Sequence, residues 1–222
     1  MTARRAVLLS AGLDSAVLAA AEAVHSEVHP LYVSAGLAWE TQELAALDRL
    51  LATPPYARCL PLARLSFTVR DVYPPTHWAL RGEPPAFDTP DEDVYLTGRN
   101  IVLLSKAAIY CAQQDIGRLA IGPLAGNPFP DATPAFFEAM ARALSLGLDH
   151  AIDIVAPFAE LEKSAVIRLG IDLGVPLDLT LSCMNPRQGR HCGQCSKCRE
   201  RRDAFREAGV ADPTEYAIPP VR

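Results

Sequence analysis

Val7-Leu8-Leu9-Ser10-Ala11-Gly12-Leu13-Asp14-Ser15-Ala16-Val17-Leu18 decides how the rest of the chain is read. A short apolar run stops at small and polar residues, and a second apolar pattern starts a few positions later. That is a strand, a tight turn and the first turn of a helix. The turn carries little bulk, so several backbone N–H groups can converge where the helix dipole places partial positive charge, which makes a seat for a phosphate. Ser10 and Ser15 add hydroxyl donors. Asp14, an acid inside an anion site, makes sense as the ligand that holds Mg2+ against the phosphates. The competing reading is an ordinary strand-to-helix turn with a serine cap.

The stretch resembles the pyrophosphatase-type nucleotide loop, Ser-Gly-Gly-apolar-Asp-Ser, of enzymes that split ATP between its α and β phosphates. On that resemblance Leu9, Ser10, Ala11, Gly12, Leu13, Asp14, Ser15, Ala16, Val17 and Leu18 are the expected ATP-binding residues. The Lys-Ser/Thr ending of the kinase-type loop is missing, which argues against γ-phosphoryl transfer. Ala11 stands where the resemblance has the first glycine of the pair. If that position takes a positive φ, alanine costs roughly 1 kcal/mol or more.

Half of the 222 residues are apolar, enough for one substantial core with a small appendage. No run approaches the ~20 apolar residues that cross a bilayer, and no signal-peptide pattern is present, so a cytoplasmic chain is expected. A formal net charge of -5 argues against an extensive nucleic-acid surface. The prolines gather in connections such as Pro74-Pro75 and Pro84-Pro85, which read as loops with fixed bends.

Strands are expected at residues 6–9, 28–33, 58–65, 119–122 and 152–155, and helices at 15–24, 39–52, 101–113 and 134–146. Such alternation implies a doubly wound parallel sheet covered on both faces, with ligands beyond the carboxyl ends of the strands. Residues 69–97 lose all periodicity, and a loop of that length works as a lid or binding element. Within it, His77 and Trp78 either stack on a substrate ring or pin the loop down. Asn100 suits an N-cap, and Arg99, a cation opposed to the helix dipole, has an anion to meet. After the fourth strand, Asn127, Phe129, Pro130 and Asp131 form a rigid loop, with Thr133 and Pro134 opening the next helix. Asp131 is either a ligand-holder or a second cap for that helix. Lys163 opens a further helix against its dipole, and reads as a phosphate contact or a solvated lysine.

Cys183, Cys192, Cys195 and Cys198 form C-x8-C-x2-C-x2-C. The two short spacings let backbone turns aim thiolates at one point, and the set suits a structural Zn2+ site, with an iron–sulfur cluster as the rival. His191 is the one alternative ligand. Gly189 and Gly193 fit tight turns, while Cys59 and Cys111 read as buried thiols. Arg199, Arg201, Arg202 and Arg206 fall on a short helix, placed to offset the negative cluster or to face a partner or solvent.

Taken in order, the loop at 10–15, Gly98-Arg99-Asn100, Phe129-Pro130-Asp131, Glu162-Lys163-Ser164 and Thr180-Leu181-Ser182-Cys183 resemble the 7-cyano-7-deazaguanine synthase family of queuosine-precursor biosynthesis. The resemblance implies an α/β fold like that of the adenine nucleotide alpha hydrolases over residues 1–180, and a zinc-binding segment over 181–222. It implies an ATP-dependent ligase that adenylates 7-carboxy-7-deazaguanine, displaces AMP with ammonia, and dehydrates the amide to a nitrile. Asp14, Lys163 and Arg99 are the implied catalytic residues, Phe129, Asp131 and Asn127 the substrate contacts, and ATP with Mg2+ and structural Zn2+ the cofactors. The implied partners are small molecules, with no membrane, and a homodimer is compatible with this reading. The loop at 122–131 is shorter than the family's and lacks its early acid, with Asn127 nearby. Two other readings stay open: a related pyrophosphatase acting on another carboxylate or on tRNA, and a non-catalytic nucleotide-binding homologue.

Overall fold

Short apolar runs alternate with amphipathic helices, and the runs pair in parallel into a five-stranded sheet of order β3-β2-β1-β4-β5. The strands are β1 (Arg4–Leu8), β2 (Glu27–Ser34), β3 (Ala63–Ser66), β4 (Arg118–Ala120) and β5 (Asp153–Val155). The helices are α1 (Leu13–Ala23), α2 (Glu40–Leu50), α3 (Trp78–Arg81), α4 (Arg99–Gln113), α5 (Pro134–Leu148), α6 (Lys163–Asp172) and α7 (Ser196–Ala208). This computed structural model describes residues 4–219, so the ends of the two expected segments, 1–3 and 220–222, lie outside the described residues. No helix among the described residues is long and apolar enough to cross a membrane.

Side chains alternate across β1 because a strand has a period of two. Ala6 and Leu8 face a cluster with Leu104, Ala107 and Cys111 of α4 and Phe137 of α5. Val7 and Leu9 face the other cluster, with Val17 of α1, Leu47 of α2 and Ile167 of α6. That second cluster continues without a break through Cys183, Cys192, Cys195 and Cys198 to Phe205 of α7. Helices α1 and α6 meet closely at Gly170, where an added Cβ would lie 2.8 Å from a Val17 methyl and 3.2 Å from Leu177. The central strand β1 pairs with β2 on one side and β4 on the other, so the strand order reverses there. In open parallel sheets the crevice at such a reversal is where ligands bind.

Two expected elements differ. The strand expected over 58–65 is β3 at Ala63–Ser66, preceded by a single bridge between Val28 and Cys59. Leu60 donates to the Val28 carbonyl at 2.8 Å, but Pro61 has no N–H to continue the ladder. The long connection at 69–97 carries structure of its own, namely α3 and a 3-10 turn at Asp91–Val94, and buries Val69, Tyr73, Ala79, Val94 and Leu96. His77 serves it internally. Its Nδ1 accepts from the Ala79 N–H at 3.2 Å and its ring stacks on Tyr73 at 4.5 Å.

The arginines of α7 reach backbone, rings and neighbours. Arg201 is 0% exposed and donates to Thr214 Oγ1 (2.6 Å), Thr180 Oγ1 (2.8 Å) and the Leu177 carbonyl (2.7 Å). Arg202 lies over the Phe87 ring, Arg199 donates to the Thr89 carbonyl, and Arg206 pairs with Asp203. Arg199 and Arg202 tie the 69–97 connection to α7, and Arg201 ties the tail at Thr214, while Arg206 stays within its own helix.

Candidate active site

The turn after β1 is tied by its own polar groups. The Ser10 N–H donates to Ser15 Oγ (3.3 Å), Ser15 Oγ donates to the Gly12 carbonyl (3.0 Å), and the Gly12 N–H donates to Ser10 Oγ (3.4 Å). Ala11 sits at φ 63°, in the left-handed region that an L side chain enters at a cost of about 1 kcal/mol. Its carbonyl accepts from the Leu181 N–H at 2.8 Å, so a segment far along the chain holds the turn. The N-cap of α1 is Gly12, without a side-chain cap, so the serine-cap reading does not describe this turn. The first intrahelical donor is the Ala16 N–H to the Gly12 carbonyl, and the N–H groups ahead of it are the ones a helix leaves for an anion.

A cleft of about 560 Å³ opens beyond the carboxyl ends of β1 and β4, lined by Ser10, Gly12, Leu13 and Asp14 of the turn. A smaller chamber of about 250 Å³, lined by Leu9, Ser10, Gly12, Asp14, Ser15 and Tyr32 among others, adjoins it. Ala11, Ala16, Val17 and Leu18, expected as ATP contacts, are wholly buried and support the turn from behind. Their small or apolar side chains belong to the core that α1 must fill.

Lys163, the first residue of α6, lines the larger chamber and places Nζ 3.1 Å from Asp14 Oδ2. It also pairs with Glu200, which takes Lys197 at 2.5 Å on its other oxygen. Burial alone would lower the Lys163 pKa, but the Asp14 and Glu200 carboxylates outweigh it and hold the ammonium charged. Burial likewise opposes ionisation of Glu200, and Lys163 and Lys197 overcome it, bringing its carboxyl down to about 2. Asp14 Oδ1 and Arg99 Nε are buried without a hydrogen-bond partner among the described residues. An oxygen and a nitrogen of opposite preference, both left open at one cleft, fit a cation and the anion it accompanies.

Arg99 is the first residue of α4 and lines both chambers. The cap position belongs to Gly98 at φ 76°, not to Asn100. The Asn100 N–H donates to Asp131 Oδ2 at 3.0 Å, and Asn100 Nδ2 donates to the Asp131 carbonyl at 2.9 Å. Asp131 is buried, lines neither chamber, and caps α4 from a distant loop. Of the two readings of Asp131, the second cap for α5 is not what the geometry shows: its carboxylate takes an orphan N–H at the start of α4 instead. Burial pushes its pKa up, against the Asn100 N–H and Arg99. Thr133 alone caps α5, accepting from the Phe136 N–H at 3.2 Å. Phe129 and Asn127 line both chambers, with Phe129 stacked on Tyr95 at 5.2 Å and Asn127 Oδ1 accepting from the Phe129 N–H at 2.9 Å.

The Sγ atoms of Cys183, Cys192, Cys195 and Cys198 all lie within 4.8 Å of one another, in a group able to hold a metal ion. Backbone N–H groups of Asn185 and Cys192 point at Cys183 Sγ (3.3 and 3.2 Å), and that of Gln194 at Cys192 Sγ (3.3 Å). Buried sulfurs that receive N–H bonds suit thiolates, the form that binds metal. His191 is occupied elsewhere, its Nε2 accepting from the Ser182 N–H at 3.1 Å. Gly193 turns at φ 80°, with space for a Cβ closed by the Ile218 carbonyl. Cys59 and Cys111 lie apart, and burial pushes their thiols up to about 11 and about 12.

The profile of the family described as queuosine biosynthesis protein QueC matches residues 79–209. A 7-cyano-7-deazaguanine synthase of Anaeromyxobacter dehalogenans (strain 2CP-C) is 39% identical, over 97% of this chain and 97% of that one. The chain belongs to the QueC family. A second synthase of the same description, from Methanothrix thermoacetophila, is 35% identical over 96% of this chain and 98% of its own. The solved U34-tRNA thiolase NcsA of Methanococcus maripaludis, with its [4Fe-4S] cluster, is 15% identical with a TM-score of 0.48, over 95% of this chain and 74% of that one. As a QueC family member related along nearly its whole length to synthases, the chain is an enzyme.

This QueC family cleft also holds a carboxyl that the sequence reading passed over. Glu43 of α2 lines both chambers yet is only 6% exposed. Tyr32 Oη donates to its Oε2 at 2.7 Å. Burial pushes its pKa up to about 7, against the attraction of Arg99 and the Tyr32 and Trp39 bonds, and with help from Glu40. Beside it, Trp39 and Trp78 stack at 5.8 Å and 11° and line the larger chamber. The available signal was spacing: Glu43 shares a helical face with Ala46, Leu47 and Leu50, all buried.

Proposed function

We propose that this enzyme is a carbon–nitrogen ligase that converts 7-carboxy-7-deazaguanine and ammonia to 7-cyano-7-deazaguanine at the expense of ATP. The observation that carries the reading is the meeting of two chambers at Ser10, Gly12 and Asp14, with Lys163 Nζ 3.1 Å from Asp14 and Arg99 reaching both. One chamber takes the nucleotide and the other the acid, so the carboxylate faces the α-phosphorus. The substrate oxygen bonds to that phosphorus, and the bond to pyrophosphate breaks. Ammonia then adds to the acyl carbon, a proton leaves its nitrogen, and AMP departs with the oxygen. The amide oxygen is activated in the same way by a second ATP, and loss of AMP and the nitrogen's protons leaves the nitrile.

The turn N–H groups hold the α-phosphate in line, and Lys163 and Arg99 neutralise charge that develops as pyrophosphate departs. Asp14, through its open Oδ1, would hold Mg2+, which supplies charge neutralisation to the polyphosphate. The cysteines would hold Zn2+ as a structural ion, contributing folding free energy and no chemistry. Incubating the purified, metal-loaded protein with ATP, Mg2+, ammonia and the acid should release AMP and pyrophosphate and give amide, then nitrile. Asp14→Asn should lower AMP formation at least 100-fold with an unchanged circular dichroism spectrum. Release of ADP, or neither amide nor nitrile from folded protein, would overturn the proposal.

A further inference from the structure

The acid expected to hold the substrate ring, Asp131, is bonded to Asn100 and lines neither chamber. Asp14 and Glu200 are engaged with Lys163. Among the described carboxyls that line the cleft, only Glu43 is buried; Trp39 hydrogen-bonds to it, and the Trp39–Trp78 stack lines the same chamber.

We propose that Glu43 reads the substrate ring: its carboxylate accepts from N1–H and the 2-amino group of a 2-amino-4-oxopyrimidine, while the tryptophan stack packs on the ring's face. The inference rests on the synthase reading and names the group that gives it specificity. A carboxylate is an acceptor on both oxygens, and this edge is the one that offers two adjacent donors. Adenine offers an amino donor beside a ring-nitrogen acceptor, which would set lone pair against lone pair. The same carboxylate therefore attracts the acid's ring and repels the base of ATP, which shares the cleft. Tyr32 Oη at 2.7 Å and Trp39 fix the carboxylate in place, and of its roughly four lone-pair sites about two remain for a ligand. Two incoming N–H groups also offset the burial that pushes the free carboxyl up to about 7. The charged and titratable groups facing it are Tyr32 on β2, Glu40 on α2 and Arg99 on α4.

Dissociation constants measured without ATP at pH 8 test this, using 7-carboxy-7-deazaguanine and its analogue lacking the 2-amino group. Wild type should bind the analogue at least ten-fold more weakly. Glu43→Gln should bind the parent at least ten-fold more weakly than wild type does, with the preference between the two rings falling below three-fold. ATP affinity should stay within two-fold, and a cooperative thermal transition certifies the fold. Between pH 6 and 8 the parent should bind wild type more tightly as Glu43 ionises, and Glu43→Asp should keep part of the ring preference. An unchanged preference in Glu43→Gln overturns the inference and leaves the synthase reading standing. Loss of ATP affinity in its place also overturns it, since Glu43 would then face the nucleotide base. No binding of either ring by wild type overturns both readings.

Discussion

A carboxyl kept in the cleft for a ligand should weaken the empty protein, and Glu43→Gln measures by how much. Below pH 4.5 the group is protonated whether the chain is folded or not, and costs nothing extra. From 4.5 to about 7 the unfolded chain gives up its proton while the folded chain keeps it, so stability falls as pH rises. Above about 7 the loss is complete and constant. At ~1.36 kcal/mol per pH unit, that span is worth about 3 kcal/mol, and the Arg99 attraction is already inside it. Glutamine keeps the shape and can accept from Tyr32 Oη, but does not titrate. The variant should therefore gain on wild type by about 3 kcal/mol at pH 8, or on the order of 6–12 °C in melting temperature for a chain of this size, and by little near pH 5. Urea and thermal denaturation of both proteins from pH 5 to 8.5 give the difference directly. A wild type that strengthens relative to the variant as pH rises would refute the reasoning, because the folded-state pKa would then lie below the ordinary value.

At Ala11, glycine relieves about 1 kcal/mol of backbone cost but forfeits a buried methyl worth ~0.8 kcal/mol, so Ala11→Gly should be nearly neutral. Ala11→Val, β-branched at φ 63°, should lose more than about 2 kcal/mol in urea melts, and equal stabilities for the two variants would refute the strain. Gly170→Ala gains about 1 kcal/mol of helix propensity, yet pushes a methyl to 2.8 Å from Val17. Overpacking of about 1–3 kcal/mol should win, giving net destabilisation and a several-fold weaker ATP affinity as α1 shifts; a more stable variant would show that α6 yields freely. Cys195→Ser should lower metal content by mass spectrometry and stability by more than about 4 kcal/mol together. The wild-type protein should be colourless and contain zinc, whereas a brown protein that absorbs in the visible would carry iron–sulfur.

What was legible in the sequence was local. The turn at 10–15 declares itself because its small residues, hydroxyls and acid all lie within one loop, and the cysteines because ligand spacing is itself a short-range pattern. Thr133 was readable as a cap for the same reason. Asn100 was misread because an asparagine ahead of an apolar helix has the right chemistry for a cap, while the actual partner of its N–H, Asp131, is supplied by folding from 31 residues away. Glu43 was hidden by the same blindness in reverse. A glutamate on a helix with mixed polarity looks solvated until the Tyr32 strand and the Trp78 loop close over it. Residues 69–97 lacked periodicity because Val69, Tyr73, Ala79, Val94 and Leu96 reach the core from short turns and irregular backbone and not from one helix or strand face.

The bond from the Leu181 amide to the Ala11 carbonyl spans about three quarters of the chain. While the polypeptide is still on the ribosome, β1 and α1 can emerge and pair with β2, but the strained bend between them lacks its anchoring donor until residue 181 and its flanking cysteines clear the exit tunnel. A product truncated before residue 181 therefore lacks the donor that holds this bend, and the phosphate seat proposed there is left unfinished in it.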